Sequence, residues 1–199
     1  QGVGSSHCLP KTAWPPTWIK EAGLDAWLLL EYVTGKSRAY YFAYGEESVT
    51  ESVAERYLEL ISRRAGHIPL QHLTHQAFFM GHEFYVDKNV LVPRQDTEKL
   101  VETVLRDHKN QALSVLDMCT GSGCIAVSLA VLGGYDKVTA ADISKAALKV
   151  AKKNVRRHFL VQKGTARSES TLISDTPWKL KMCTYVYQGG DAQEQETAG

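Results

Sequence analysis

Asp117-Met118-Cys119-Thr120-Gly121-Ser122-Gly123-Cys124 lies between two apolar runs of different kind. Ser114-Val115-Leu116 leads in as a strand, and Ile125 to Leu132 leads out as a helix. Strand, acid, glycine-rich turn and helix together make a nucleotide cradle. Glycine lacks the Cβ that would hold a ligand off the backbone, and a helix start presents unpaired N–H groups. The next strand-like run, Lys137 to Ala141, ends at Asp142, 19 residues after Gly123. Folds of this kind place a carboxylate for ribose hydroxyls there. Ser144 then caps a helix that turns Ala147, Leu148, Ala151 and Val155 inward. Strand, helix, strand, helix in this order predicts a parallel α/β sheet.

Upstream the periodicity is helical. A helix is predicted from about Trp18 to Val33, burying Leu24, Trp27, Leu28 and Leu30 and ending at Gly35. Tyr40, Tyr41, Phe42 and Tyr44 read as packing between helices. Ser48-Val49-Thr50-Glu51 has capping-box spacing and opens a second helix with Val53, Tyr57, Leu60 and Ile61 inward. From Leu70 to Val92 strand formers take over, with turns at Gly81 and Asp87-Lys88-Asn89, which predicts a β-hairpin connector. Asp96 or Thr97 caps the helix that follows, with Leu100, Val101, Val104 and Leu105 as its buried stripe. Residues 1–17 read as irregular, 164–177 show no period, Lys179 to Tyr187 reads as a strand, and 188–199 as a disordered tail. The expected domains are therefore 18–68 (helical), 69–93 (hairpin connector) and 94–187 (α/β).

Composition narrows the classes. With 199 residues, 44% of them hydrophobic, the chain can bury a core. A net charge of +1 gives no global field for nucleic acid or anionic membrane. Lys152, Lys153, Arg156, Arg157, Lys163 and Arg167 form a basic cluster that reads as a solvated helix face, because no aromatic stacking platform accompanies it. No apolar run has the length of a membrane span, and Gln1 opens no signal-peptide pattern, so a cytoplasmic protein is expected. A monomer is the accompanying expectation. Cys8, Cys119, Cys124 and Cys183 make no disulfide framework; Cys119 and Cys124 read as small buried residues of the turn. His67, His72, His75 and His82 lack the Cys, Asp or Glu spacing of a metal site, so no metal is expected.

Two cofactors compete for the cradle. Gly121, Gly123 and Ala126 satisfy the G-x-G-x-x-A form of the dinucleotide fingerprint, which alone is a weak sign of NAD. A helical domain and hairpin ahead of the glycine strand argue against it. Asp117 argues further: a carboxylate there suits the ammonium of a bound amino acid and repels a pyrophosphate. S-adenosylmethionine carries that ammonium, and its ribose suits Asp142.

Pro69-Leu70-Gln71-His72-Leu73-Thr74, Phe84-Tyr85-Val86, Val92-Pro93-Arg94-Gln95-Asp96-Thr97-Glu98 and Val115-Leu116-Asp117-Met118-Cys119-Thr120-Gly121-Ser122-Gly123 together resemble the HemK/PrmC family, the peptide chain release factor N5-glutamine methyltransferases. The resemblance runs from about Leu24 to Asn154. It implies an N-terminal helical substrate-binding domain, a β-hairpin connector and a class I, Rossmann-like, S-adenosylmethionine-dependent methyltransferase domain. It also implies methyl transfer to the glutamine amide in the Gly-Gly-Gln loop of class I release factors, with no direct nucleic-acid or membrane partner. Carried over by position, Cys119, Thr120, Gly121, Ser122 and Gly123 line the methionine end of the cofactor, Asp142 takes the ribose, and Asp117 helps at the ammonium. Arg94, Thr97 and Glu98 lie in the segment beside the cofactor.

The family holds the glutamine amide with Asn-Pro-Pro-Tyr after the fourth strand. Here no Asn precedes a Pro: the asparagines are at 89, 110 and 154 and the prolines at 10, 15, 16, 69, 93 and 177. No catalytic residue is therefore assigned. Cys119 and His75 stand where the family has Gly, and Gln95 where Pro is common. The expectation is an incomplete methyltransferase domain, truncated or frame-shifted after about Asn154, and inactive alone. The alternatives are a non-catalytic module binding S-adenosylmethionine or a protein, methylation of another amide or of a nucleic-acid amino group, and an NAD-binding fragment.

Overall fold

A computed structural model of the chain describes residues 21–45, 47–108, 111–135, 137–163, 179–188 and 191–196. The expectations for residues 1–17, for 164–177 and for Arg167 lie outside these. The chain divides into two compact units between Thr74 and His75.

The first unit contains α1 (Ala22–Thr34), α2 (Arg38–Ala43), α3 (Glu51–Ala65) and α4 (Leu70–Thr74). Ala26, Leu29, Leu60, Ile61 and Leu73 form its core. Apolar residues surround most of α1, so the pattern carries little information about which face turns in. Leu24 and Leu28, expected inside, are exposed, whereas Asp25, Ala26, Leu29 and Leu30 are buried. Asp25 goes inside because Arg64 on α3 meets it, Nε donating to Oδ2 at 2.7 Å. Gly35 ends α1 as expected, in the left-handed region, with its N–H on the Glu31 carbonyl. The Ser48–Glu51 capping box is not formed: α3 starts at Glu51, with Thr50 as its N-cap. The short α2 was not expected. The Ser37 hydroxyl starts it by accepting from the Tyr40 N–H at 3.3 Å. Tyr41 and Phe42 pack against Trp27, each with ring centroids 6.1 Å away. Phe42 and Tyr44 nevertheless remain exposed, so the aromatic cluster is only partly packing.

The second unit opens with a hairpin of β1 (Ala77–Phe79) and β2 (His82–Phe84), paired antiparallel. Met80 and Gly81, both at positive φ, make the two-residue turn whose twist suits such strands. The connector expected over 69–93 is thus much shorter as a hairpin. Leu70–Thr74 is helical, and Val90, Leu91 and Val92 form no strand. Val86 and Val90 instead pack with Ala147 and Val150. Phe79 and Phe84 meet edge to face at 6.2 Å and enter the main core with Val101, Val127, Tyr135 and Val138. The hairpin is therefore a wall of this core.

Next come α5 (Gln95–His108), β3 (Ser114–Met118), α6 (Cys124–Gly133), β4 (Lys137–Ala141), α7 (Lys145–Lys163), β5 (Lys179–Gln188) and β6 (Asp191–Glu196). Helix α5 begins at Gln95, which puts Asp96 and Thr97 in its first turn instead of at the cap; Val101 is buried and Leu100 is exposed. The sheet order is β3-β4-β5-β6. The first three strands are parallel, the pattern that strand and helix alternation predicted. Strand β6 runs antiparallel to β5 where a disordered tail was expected over 188–199. Backbone ladder bonds do not depend on side-chain type, so composition gives no sign of them. Helix α6 covers the Val138 and Ala140 face, whereas Leu116 and Met118 on the other face of β3 are exposed.

Candidate functional site

Parallel register aligns Met118 with Ala141, so the chain leaves β3 and β4 at the same level. Ligands of open α/β sheets bind outside these carboxyl ends. Two turns meet there. The Thr120 N–H donates to the Ala141 carbonyl at 2.9 Å. The Gly121 N–H donates to Asp142 Oδ2 at 2.9 Å, and the Ser144 N–H to Asp142 Oδ1 at 2.8 Å. Asp142 therefore ties the glycine turn to the start of α7. Ser144 caps that helix as expected, Oγ accepting from the Ala147 N–H at 3.1 Å.

Three turn residues lie in the left-handed region: Cys119 at φ 59°, Gly121 at 56° and Gly123 at 78°. The two glycines serve different ends. A Cβ on Gly121 would meet nothing nearer than 3.9 Å, so that side faces open space. A Cβ on Gly123 would sit 3.1 Å from Ala151 Cβ and 3.3 Å from its Cα. Gly123 thus admits α7 against the turn, where the sequence suggested room for a ligand. Cys119 adopts a conformation that costs a non-glycine residue about 1–2 kcal/mol.

Asp117 lies beneath the turn, buried. Its Oδ2 accepts from Thr120 Oγ1 at 2.6 Å and from the Ala126 N–H at 3.2 Å, bracing the turn against α6. Burial raises its carboxyl above the usual range, and those two bonds oppose the shift. Thr120, Ser122 and Gly123 are buried with it, while Cys119 is exposed and Gly121 and Asp142 are half-buried. Ile143, after Asp142, is 70% exposed. Of the two turn cysteines only Cys124 is buried; burial pushes its thiol up to about 11, which makes it unreactive. His75 Nδ1 lies 3.1 Å from the Val86 carbonyl, its ring stacked on Tyr85. Among the described residues no three His, Cys, Asp or Glu side chains converge as a metal site requires.

Glu98, expected in the segment beside the cofactor, has a structural contact: its Oε1 accepts from the Met80 N–H at 2.6 Å and pins the hairpin turn to α5. One residue of this region lay outside the sequence reading of the site. Asn154 is fully buried on α7. Its Oδ1 accepts from the Tyr85 N–H at 2.7 Å, and its Nδ2 donates to the carbonyls of Tyr85 at 2.9 Å and Ser122 at 2.8 Å. The signal for Asn154 was available: it is the polar member of the inward stripe Ala147, Leu148, Ala151. In the basic cluster, Lys153 lies over the Tyr85 ring at 3.2 Å and Arg157 pairs with Glu83 at 2.8 Å, so α7 also reaches the hairpin through charged residues.

Comparison with known proteins adds descent to this geometry. Residues 17–74 match the family model of the PrmC N-terminal domain. Residues 95–177 match that of the ribosomal protein L11 methyltransferase (PrmA), a match that runs past Asn154. The chain is similar to proteins named release factor glutamine methyltransferase. That of Leptospira interrogans is 38% identical over 165 residues, 82% of this chain and 58% of the relative. That of Koribacter versatilis is 44% identical over 135 residues, 67% of this chain and 48% of the relative. That of Bacillus subtilis is 36% identical over 152 residues, 72% and 53%. The chain spans about half the length of these relatives. Helical unit, hairpin and glycine turn stand in the order the quoted motifs implied, and the chain belongs to the HemK/PrmC family.

Proposed function

We propose that the second unit binds S-adenosylmethionine at the glycine turn, and that the protein of which these residues form part methylates the glutamine amide of Gly-Gly-Gln in class I peptide chain release factors. The observation that carries the first step is the pairing of Asp142 with Gly121. It presents an anchored carboxylate and an open glycine at the carboxyl end of the sheet. The residues fit the cofactor. Asp142 is an acceptor for the ribose diol, exposed Ile143 offers the base an apolar surface, and Gly121 leaves room for the methionine end. Asp117 contributes negative charge beneath the turn toward the ammonium.

S-adenosylmethionine, when bound, supplies a sulfonium methyl. The chain's own part is binding and orientation. An amide nitrogen is a weak nucleophile because its lone pair is delocalised into the carbonyl. It must be held in line and polarised by acceptors; forming the N–CH3 bond would break the sulfonium S–CH3 bond, leave a neutral thioether and release one amide proton. No Asn-Pro-Pro-Tyr is present in these residues to supply those acceptors. We therefore expect the chain by itself to bind the cofactor and transfer little or no methyl. The release factor is the proposed protein partner of the helical unit.

Calorimetry with S-adenosylmethionine and with NAD tests the cofactor. Binding of S-adenosylmethionine alone is expected, and binding of NAD alone refutes the reading. A methyl-transfer assay on a release factor bearing Gly-Gly-Gln tests the rest. A trace or nothing is expected of the chain alone, and robust transfer would overturn its inactivity.

A further inference from the structure

Asn154 meets Tyr85 as a neighbouring strand would, accepting from its N–H and donating to its carbonyl. The second Nδ2 hydrogen goes to the Ser122 carbonyl. This pattern fixes the amide orientation, since the flipped form would set oxygen against two carbonyls and NH2 against an N–H. Asp has no donor to give, and Ala has neither donor nor acceptor. The other anchors of the turn described above, Asp117, Ala141 and Asp142, all come from β3, β4 and the turn after β4. Asn154 anchors it from α7, and the same side chain holds the backbone leaving the hairpin.

We propose that Asn154 is the positioning residue of the cofactor turn: it locks the Gly121–Gly123 arc to the hairpin exit, so that the two respond as one body when cofactor binds. This rests on reading the turn as the S-adenosylmethionine site. Lys153 over the Tyr85 ring and Arg157 on Glu83 strap the same stretch of α7 to the hairpin, so Asn154 acts within a supported contact.

The test uses the 199-residue chain as wild type, Asn154→Asp and Leu148→Ala, the last a buried apolar truncation on the same helix. S-adenosylmethionine affinity is read by calorimetry, and amide exchange at Tyr85 and Gly123 by NMR, at a temperature where all three are folded. Asn154→Asp should weaken binding by about tenfold, the factor a lost positioning hydrogen bond is worth. It should also speed exchange at Tyr85 and Gly123 together. Leu148→Ala should lower the melting temperature yet keep the affinity within about twofold, which a merely structural role for Asn154 would not predict. Equal affinity loss in both variants, or exchange that changes at only one of the two amides, overturns the proposal. If the wild type binds no S-adenosylmethionine, the cofactor reading fails, and the exchange result still decides the coupling. Should Asn154→Asp not fold, Asn154→Ala removes both donor bonds and the acceptor for the Tyr85 N–H as well, without adding a charge, and is read the same way.

Discussion

Replacing Gly123 by Ala separates two reasons for a glycine that sequence alone merges. At φ 78° an added Cβ costs about 1–2 kcal/mol in backbone strain. It would also stand 3.1 Å from Ala151 Cβ and 3.3 Å from Ala151 Cα. Neither atom is the end of a flexible chain, so α7 must shift, and overpacking of this kind costs about 1–3 kcal/mol. Gly123→Ala should therefore lose about 2–5 kcal/mol, a large part of a domain's usual stability. Gly121→Ala is the internal control. Its φ is 56°, but its Cβ meets nothing nearer than 3.9 Å, so only the strain term applies. Urea unfolding of both variants, with Ala151→Gly and the double variant completing a cycle, isolates the contact. Ala151→Gly should recover about 1–3 kcal/mol in the Gly123→Ala background beyond its own helix penalty. Equal losses for Gly121→Ala and Gly123→Ala, with no coupling to residue 151, would refute the account of α7 packed on the turn.

Three further outcomes are expected. Burial raises the Asp117 carboxyl above its ordinary 3.8, so the folded chain holds that proton more tightly than the unfolded chain does. This contribution favours folding at low pH and is lost as pH rises from about 4 through the raised value, so Asp117→Asn should flatten stability in that window, measured by urea midpoints, while weakening S-adenosylmethionine in calorimetry. Burial and then His82 lower the pKa of His158, whose Nε2 is buried without a partner. The folded state there binds fewer protons than the unfolded, so stability should fall as pH drops from about 7.5 to 5.5, and His158→Phe should shrink that fall in thermal melts. Arg64→Ala leaves Asp25 without its partner on α3 and should cost roughly 2–3 kcal/mol, less than for a fully buried pair, with an unchanged transition in calorimetry counting against it.

The segments legible in sequence are those whose pattern has one interpretation. The parallel pair β3 and β4, the turn between β3 and α6, and Asp142 at the end of β4 follow from strand, glycine, helix and spacing. The inward stripe of α7 was legible because its opposite face is charged. Helix α1 was not, since an apolar residue on every side leaves the rotation to be set by Asp25 and Arg64, residues far apart in the chain. The capping box at Ser48 failed because its geometry exists only if the helix starts there, and α3 starts later. The hairpin was foreseen as a connector, but Phe79 and Phe84 find their places only once α6 and β4 are packed.

The sequence by itself thus determined the local devices: the glycine turn, the two acids, the Ser144 cap and the order of strand and helix. Each depends on residues close together in the chain, so short-range sterics and hydrogen bonding suffice. Tertiary structure decided what those devices do. It placed Asp117 beneath the turn as a brace, gave Gly123 to α7 and Gly121 to open space, and brought Asn154 to Ser122 and Tyr85. Those partners are separated by 32 and 69 residues. No local pattern encodes such a meeting, because it exists only after the core has closed.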